Sequence, residues 1–268
     1  MRLATLLGPD LKATLESDPS AFHEALEGFH PEDIAEIVED LGNEEALAVI
    51  RALPAELAAD VIERLPTEIQ VRVLTELDRE RAIEVLGEMD PDDRVDFVQE
   101  LDAHEAEALL RELEAAEPGA AEEVRELGAY GPETAGGLMT TEYVVCAPDT
   151  KVWQAIEEVR RVGQEGAAEM VYYTYVAGYG GKLLGVVSLR DLILADPGQE
   201  LADVMTEKLL TVGPLDDQEK VAAVIARYDL SAVPVVDANF VMLGVVTIDD
   251  VVDVVIDEAT EDAQMMGG

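Results

Sequence analysis

Asp250, Asp253, Asp257, Glu258, Glu261 and Asp262 follow one another at three- and four-residue steps near the end of the chain. On a helix, that spacing gathers several carboxylates on one face. Two carboxylates about 4 Å apart repel by roughly 4 kcal/mol at an effective dielectric near 20, and a divalent cation between them reverses the sign. The face is therefore either a solvated surface of a very acidic protein or a set of oxygen ligands for a hard cation. Soft-metal chemistry has no comparable support. Cys146 is the single cysteine, and His23, His30 and His104 are too scattered for a zinc site. Met205, Met242, Met265 and Met266 form no evident group of soft ligands.

The whole composition is as one-sided as this segment. Among 268 residues, 59 Asp+Glu face 18 Lys+Arg, a formal net charge of −41. Such a charge excludes a nucleic-acid partner, because phosphate binding needs a basic surface. The length suggests about two domains, and a hydrophobic fraction of 49% is ample for packed cores. No stretch approaches the roughly 18 to 20 apolar residues of a membrane-spanning helix, and the opening MRLATLLGPD is too short for a signal peptide. The chain as given is expected to be soluble.

From Leu11 to about Leu127 the sequence reads as short amphipathic helices, each opened by a proline or an acidic cap. HPEDIAEIVEDL, LPAELAADVIERL, LPTEIQVRVLTEL and MDPDDRVDFVQEL share one pattern, with a repeat step of about 12 residues. Their Pro31, Pro54, Pro66 and Pro91 are expected in the first helical turn, where proline is tolerated. Helices this short are marginal alone in water, so they are expected to stack on successive neighbours as an all-α superhelical array.

At Ala129-Tyr130-Gly131-Pro132 the composition changes, and the β-branched and aromatic runs VVC, MVYYTYV, KLLGVVS, SAVPVV and VMLGVVT appear. LGVVSLRDLI from Leu184 returns as LGVVTIDDVV from Leu243, and GGLMTTEYVVCAPDT around Met139 is answered by DVMTEKLLTVGPLDD around Met205. Each half is expected to run strand, helix, strand, turn, strand, helix. The glycine-rich Ala177–Lys182 lies between two apolar strands and reads as a hairpin turn; no P-loop or dinucleotide fingerprint is present. Tyr172, Tyr173 and Tyr175 read as strand residues that pack, with stacking on a base as the alternative.

The duplicated Met-Thr opening, with an apolar strand, Gly, two apolar residues, Ser or Thr and an Asp three residues on, resembles the cystathionine-β-synthase (CBS) motif. With the all-α region before it, the junction YGPETAGGLMT and the ending VTIDDVVDVVIDEATED, the chain resembles the cytosolic part of the MgtE magnesium channels and transporters. The resemblance implies an α+β multidomain protein: an all-α superhelical N-terminal domain over 1–129, then an α/β tandem CBS-domain pair over 130–198 and 199–256. Residues 257–268 would begin a connecting helix toward a transmembrane pore domain that this chain does not contain.

Magnesium favours near-octahedral oxygen coordination, keeps several waters and takes only one or two carboxylates per ion. The resemblance implies ion contacts at Asp250, Asp253, Glu258, Glu261 and Asp262, at Asp217, Glu219 and Asp229, and at Asp60, Asp92 and Asp96 of the helical domain. Asp257 carries no such implication. Asp92 has a competing explanation, since acidic residues suit the first turn of a helix. The resemblance also implies an ATP-accepting cleft, with Arg190 beside it, Asp191 holding ribose hydroxyls and Tyr173 approaching the base. It further implies a homodimer through the CBS domains at the cytoplasmic face of the membrane, compact with magnesium and released without it, so that the ion favours pore closure. Two alternatives stand beside this: an adenine-nucleotide sensor without cation gating, and an acidic scaffold adapted to salt. Catalysis is not expected, because nothing pairs a nucleophile with a general base.

Overall fold

The computed structural model describes residues 26, 28–164 and 171–252. The chain divides into two compact units, Met1–Arg125 and Glu126–Gly268.

In the first unit, helices α1 (Pro31–Asp40), α2 (Asn43–Ala52), α3 (Ala55–Glu63), α4 (Thr67–Glu76), α5 (Arg79–Glu88), α6 (Pro91–Glu100) and α7 (Ala103–Ala116) each start 12 residues after the one before. The period has a local cause. Ten helical residues are followed by an extended leucine or methionine C-cap (Leu41, Leu53, Leu77, Met89, Leu101) and one N-cap residue. Asp78 accepts a hydrogen bond from Arg81 N, and Asp102 from His104 N and Glu105 N, which satisfies first-turn donors that helices leave open. Pro31 and Pro91 stand in the first turn as expected. Pro54 and Pro66 instead occupy the N-cap itself, because their ψ angles of 155° and 138° are not yet helical.

Packing departs from the expectation of successive stacking. The main contacts run α1 to α3 to α5 to α7 and α2 to α4 to α6, so helices pack chiefly on the one two places along. A single helix turns its apolar stripe inward, and alternate helices therefore build two layers around shared side chains such as Ile34, Ile50, Ile62, Leu86 and Leu109. Helix α8 (Ala120–Leu127) follows.

Helix ends in this array are closed by buried polar side chains. Arg94, only 4% exposed, donates to the carbonyls of Leu86 (2.7 Å), Gly87 (3.1 Å) and Met89 (2.6 Å) at the end of α5, and pairs with Glu123 at 3.5 Å. Gln70 likewise donates to the Glu63 and Leu65 carbonyls after α3, at 3.1 and 2.8 Å. These carbonyls would otherwise lack partners, and a cation there also suits the helix dipole.

The second unit is built twice. Strand β1 (Val144–Cys146) pairs parallel with β2 (Tyr173–Ala177), which pairs antiparallel with β3 (Leu183–Ser188); helix α9 (Val152–Gln164) joins the first two. After the short helices α10 (Leu189–Leu194) and α11 (Leu201–Val204), helix α12 (Gln218–Tyr228) leads into the antiparallel pair β4 (Ala232–Val236) and β5 (Met242–Thr247). Residues 248–252 are helical. The glycine-rich turn links β2 and β3, with Gly180 at φ 72° and Gly181 at φ 77°, a region that favours glycine.

The two halves interlock by the same bonds. Thr206 exchanges both backbone hydrogen bonds with Val186, and Thr140 exchanges both with Val245, the residue equivalent to Val186. Gly185 and Gly244 are equivalent too: each faces a methionine, Met205 and Met139, so closely that an added Cβ would collide. One expected strand is reduced. The counterpart of β1 is a single parallel bridge, Val212 to Val235. A continued ladder would next take an N–H from residue 234 to the Leu210 carbonyl, and Pro234 has none.

Replacing Arg94 by methionine is expected to lower the unfolding free energy by about 2–5 kcal/mol, because buried carbonyls lose their donors. The exposed Arg111 replaced in the same way should change it by less than about 1 kcal/mol. Urea unfolding followed by helix circular dichroism checks the pair; equal effects would contradict this role for Arg94.

Candidate cation and nucleotide sites

In the helical unit, α3 and α6 carry the acidic residues of interest. Asp60 is half-buried near the end of α3, where burial raises its carboxyl above the ordinary range and the neighbouring Arg64 opposes the rise. Asp92 is half-buried in the first turn of α6. Asp96, one turn on, is solvent-exposed at its edge, yet the surrounding protein mass and then Glu100 push it up to about 6.

The structure brings together a different trio. Glu63, Asp90 and Asp93 each offer a carboxylate oxygen, and these oxygens lie within 4.8 Å of one another. Glu63 Oε1 accepts from Asp90 N at 2.9 Å. Burial, then the charge of Asp90, pushes Glu63 up to about 7. Three carboxylates held this close are an oxygen-only donor set of the kind a hard cation uses. Glu63 closes one helix and Asp90 and Asp93 open another, so in sequence they pass for helix-end residues; only the packing shows their convergence.

In the second unit the expected ligands are spread out. Asp217 is the N-cap of α12, its Oδ1 accepting from Glu219 N at 2.9 Å, and both residues are exposed. Asp229 ends the same helix with φ 52° and ψ 50°. Asp217 and Asp229 stand 12 residues apart along that helix, or about 18 Å at 1.5 Å per residue, too far to share one ion. Asp250 accepts from Thr247 Oγ1 at 2.6 Å and from Thr247 N at 3.3 Å. Asp253, Glu258, Glu261 and Asp262, with Asp257, lie outside the described residues.

A cleft of about 230 Å³ opens between the two halves of this unit. Leu209, Leu210, Leu230, Ala232 and Pro234 form its apolar wall, Tyr173 stands in it, and Ser188, Asp191, Thr206 and Lys208 add polar groups. Ser188 Oγ donates to Asp191 Oδ2 at 2.6 Å and accepts from Asp191 N, which fixes the carboxylate at the rim. Tyr173 and Asp191 thus meet as expected; Arg190 is exposed and is not among the lining residues. Lys208 is the group the sequence reading passed over, because it sits in the strand-like run MTEKLL with no local sign that the run borders a cleft. Burial, then the charge of Glu158, pushes the Cys146 thiol up to about 11, so it holds no reactive thiolate at neutral pH.

A helical array followed by a duplicated α/β unit with a ligand-sized cleft is the architecture of a CBS-domain protein, and the comparisons with known proteins narrow it. The family described as the MgtE intracellular N domain matches residues 29–133, and the CBS domain matches 135–198 and 201–257. The magnesium transporter MgtE of Thermus thermophilus is 44% identical over 151 residues, 56% of this chain and 33% of that protein. A crystal structure of the soluble part of a magnesium transporter superposes with a TM-score of 0.88 at 33% identity, covering 96% of this chain and 99% of the other. The cytosolic domain of the Mg2+ channel MgtE in complex with ATP gives 0.84 at 38% identity, covering 94% and 100%. The chain belongs to the MgtE family. It spans about a third of the length of the curated relatives it matches. Among the described residues, no helix is long and apolar enough to cross a membrane.

Glu63 gives a pH test with a definite sign. Its folded pKa of about 7 lies above the ordinary 4.5, so between those values the folded chain keeps a proton that the unfolded chain has lost. Its contribution to stability therefore falls as pH rises through that window. Glu63→Gln removes the penalty, and its advantage over the unmodified chain should grow by on the order of 3 kcal/mol from pH 4.5 to 7.5. Urea unfolding at several pH values measures this; a pH-independent difference would contradict it. Asp96 runs in the same direction, with solvent screening reducing its weight.

Proposed function

We propose that the chain is the cytosolic, magnesium-sensing regulatory region of an MgtE-type magnesium channel or transporter. The observation that carries this reading is the likeness, along 94% or more of the chain, to the soluble and cytosolic parts of magnesium transport proteins. In this reading, magnesium binds between carboxylates of different domains and of two copies of the chain, compacts the region and favours closure of the pore. Low magnesium releases it. The partners are a second copy through the CBS domains and the transmembrane pore domain of the intact protein, at the cytoplasmic face of the membrane.

The physical chemistry suits a graded switch. Asp96, Asp217, Glu219 and Asp229 are exposed carboxylates, and each alone holds a strongly hydrated ion weakly. An ion that joins two such groups binds the compact form preferentially. At ten times its dissociation constant, one such ion stabilises that form by roughly 1.4 kcal/mol, so about four ions supply the roughly 5.5 kcal/mol that turns 1:99 into 99:1.

The cleft favours a second, compatible ligand. Tyr173 can cover an adenine, Asp191 can hold ribose hydroxyls and Lys208 can meet phosphate; a similar cytosolic domain is known in complex with ATP. If nucleotide alone sets the conformation, the cation response disappears while the nucleotide response stays.

Thermal unfolding tests the two. Magnesium chloride should raise the midpoint above that in sodium chloride at matched ionic strength, and Asp92→Asn and Asp229→Asn should each diminish the rise; asparagine tolerates the left-handed backbone at residue 229. Equal midpoints in the two salts, with a rise on adding ATP, would replace the cation sensor with the nucleotide sensor.

A further inference from the structure

The strand-to-helix junction late in each half of the CBS unit carries the same hydroxyl-carboxylate pair. LGVVSLRD and LGVVTIDD align Ser188 with Thr247, Arg190 with Asp249 and Asp191 with Asp250. Ser188 Oγ donates to Asp191 Oδ2 at 2.6 Å, and Thr247 Oγ1 donates to Asp250 Oδ2 at the same distance. Pairs of this kind close the first turn of a helix, and that local role is common to both halves.

Asp250 differs from Asp191 in how it is held. The Thr247 N–H also donates to Asp250 Oδ2, at 3.3 Å, so one carboxylate oxygen receives two donors from one residue. That residue is itself fixed. Thr247 is 6% exposed and ends β5 opposite Ala232, and the next N–H, of Ile248, bonds the Ser231 carbonyl at 3.0 Å. Its β-branched side chain has little χ1 freedom. Where Arg190 stands in the first half, Asp249 brings a second acceptor to the Thr247 hydroxyl. A hydroxyl has one proton to give, so the N–H keeps its hold on Asp250 while the hydroxyl serves either neighbour.

The two bonds turn Oδ2 toward the protein, and a cation that meets Asp250 does so through Oδ1. Contact through one oxygen suits the small, near-ideal octahedron of magnesium, whereas calcium also takes both oxygens of a carboxylate in its larger and more flexible shell. We propose that Thr247 is a positioning residue that makes Asp250 a one-oxygen ligand and thereby favours magnesium over calcium there. The inference rests on the cation reading above, in which Asp250 is an ion contact.

Apparent affinities for magnesium and calcium, taken from the rise of the unfolding midpoint in each chloride over sodium chloride at matched ionic strength, test it in the whole chain. Thr247→Val keeps the shape of the side chain and removes the hydroxyl. It should weaken magnesium binding about tenfold, a usual cost of losing a donor that orients a metal ligand, and weaken calcium binding less. Thr247→Ser should restore the magnesium value. Ser188→Ala loses the equivalent bond away from the expected ion contacts, and should lower the midpoint without moving either affinity. In an Asp250→Asn background, Thr247→Val should have no further effect on magnesium binding. An unchanged magnesium affinity in Thr247→Val, equal losses for the two cations, or a loss that persists in the Asp250→Asn background would each overturn the proposal. If Asp250→Asn itself leaves the magnesium affinity unchanged, the ion contact at Asp250 fails, and this inference with it.

Discussion

Carboxylates held on a folded surface repel one another, and 59 acidic against 18 basic residues make that repulsion the dominant electrostatic fact of this chain. Folding does not remove it. It places some of the charges where neutralisation would count most. Glu63 is the clearest case: Asp90 and Asp93 come within 4.8 Å, and burial with the neighbouring charge drives it toward protonation near neutral pH. A proton or a metal ion can relieve such a position, and the two compete for the same oxygens. Hard, strongly hydrated cations suit an all-oxygen donor set of this kind.

The scaffold serves that electrostatics by being locally simple. The 12-residue period of the helical unit sets helix ends at regular intervals, and acidic residues collect there because first-turn amides favour them. Buried Arg94 and Gln70 close the opposite ends of α5 and α3, giving the carbonyls there side-chain donors. In the CBS unit, duplication does different work. Two equivalent frames, each with a hydroxyl bonded to an aspartate, carry opposite charges around that pair.

Much of this was legible in the sequence because it is local or repeated. Proline and aspartate caps, the apolar rhythm and the return of LGVVS as LGVVT need no tertiary knowledge, and they point to the helical array and the duplicated α/β unit, whereas the nearness of Tyr173 to Asp191 is implied only by the family resemblance. What was not legible depends on packing between distant segments. Glu63 and Asp90 are 27 residues apart, and nothing in either neighbourhood marks their approach. Packing on alternate helices cannot be read from stripes that look alike on every helix. Lys208 reads as a surface charge until the cleft is seen. The loss of a strand at Val212 follows from Pro234 on the neighbouring strand rather than from Val212's own surroundings.

In the proposed function, magnesium and not ionic strength offsets the repulsion and compacts the chain. Small-angle X-ray scattering across a magnesium titration, with sodium at matched ionic strength alongside, tests this directly, since screening alone acts equally in both series. A fall in radius of gyration that is specific to magnesium, and is weakened when Asp92 and Asp250 are neutralised, is expected. Superposable curves in the two salts would contradict it.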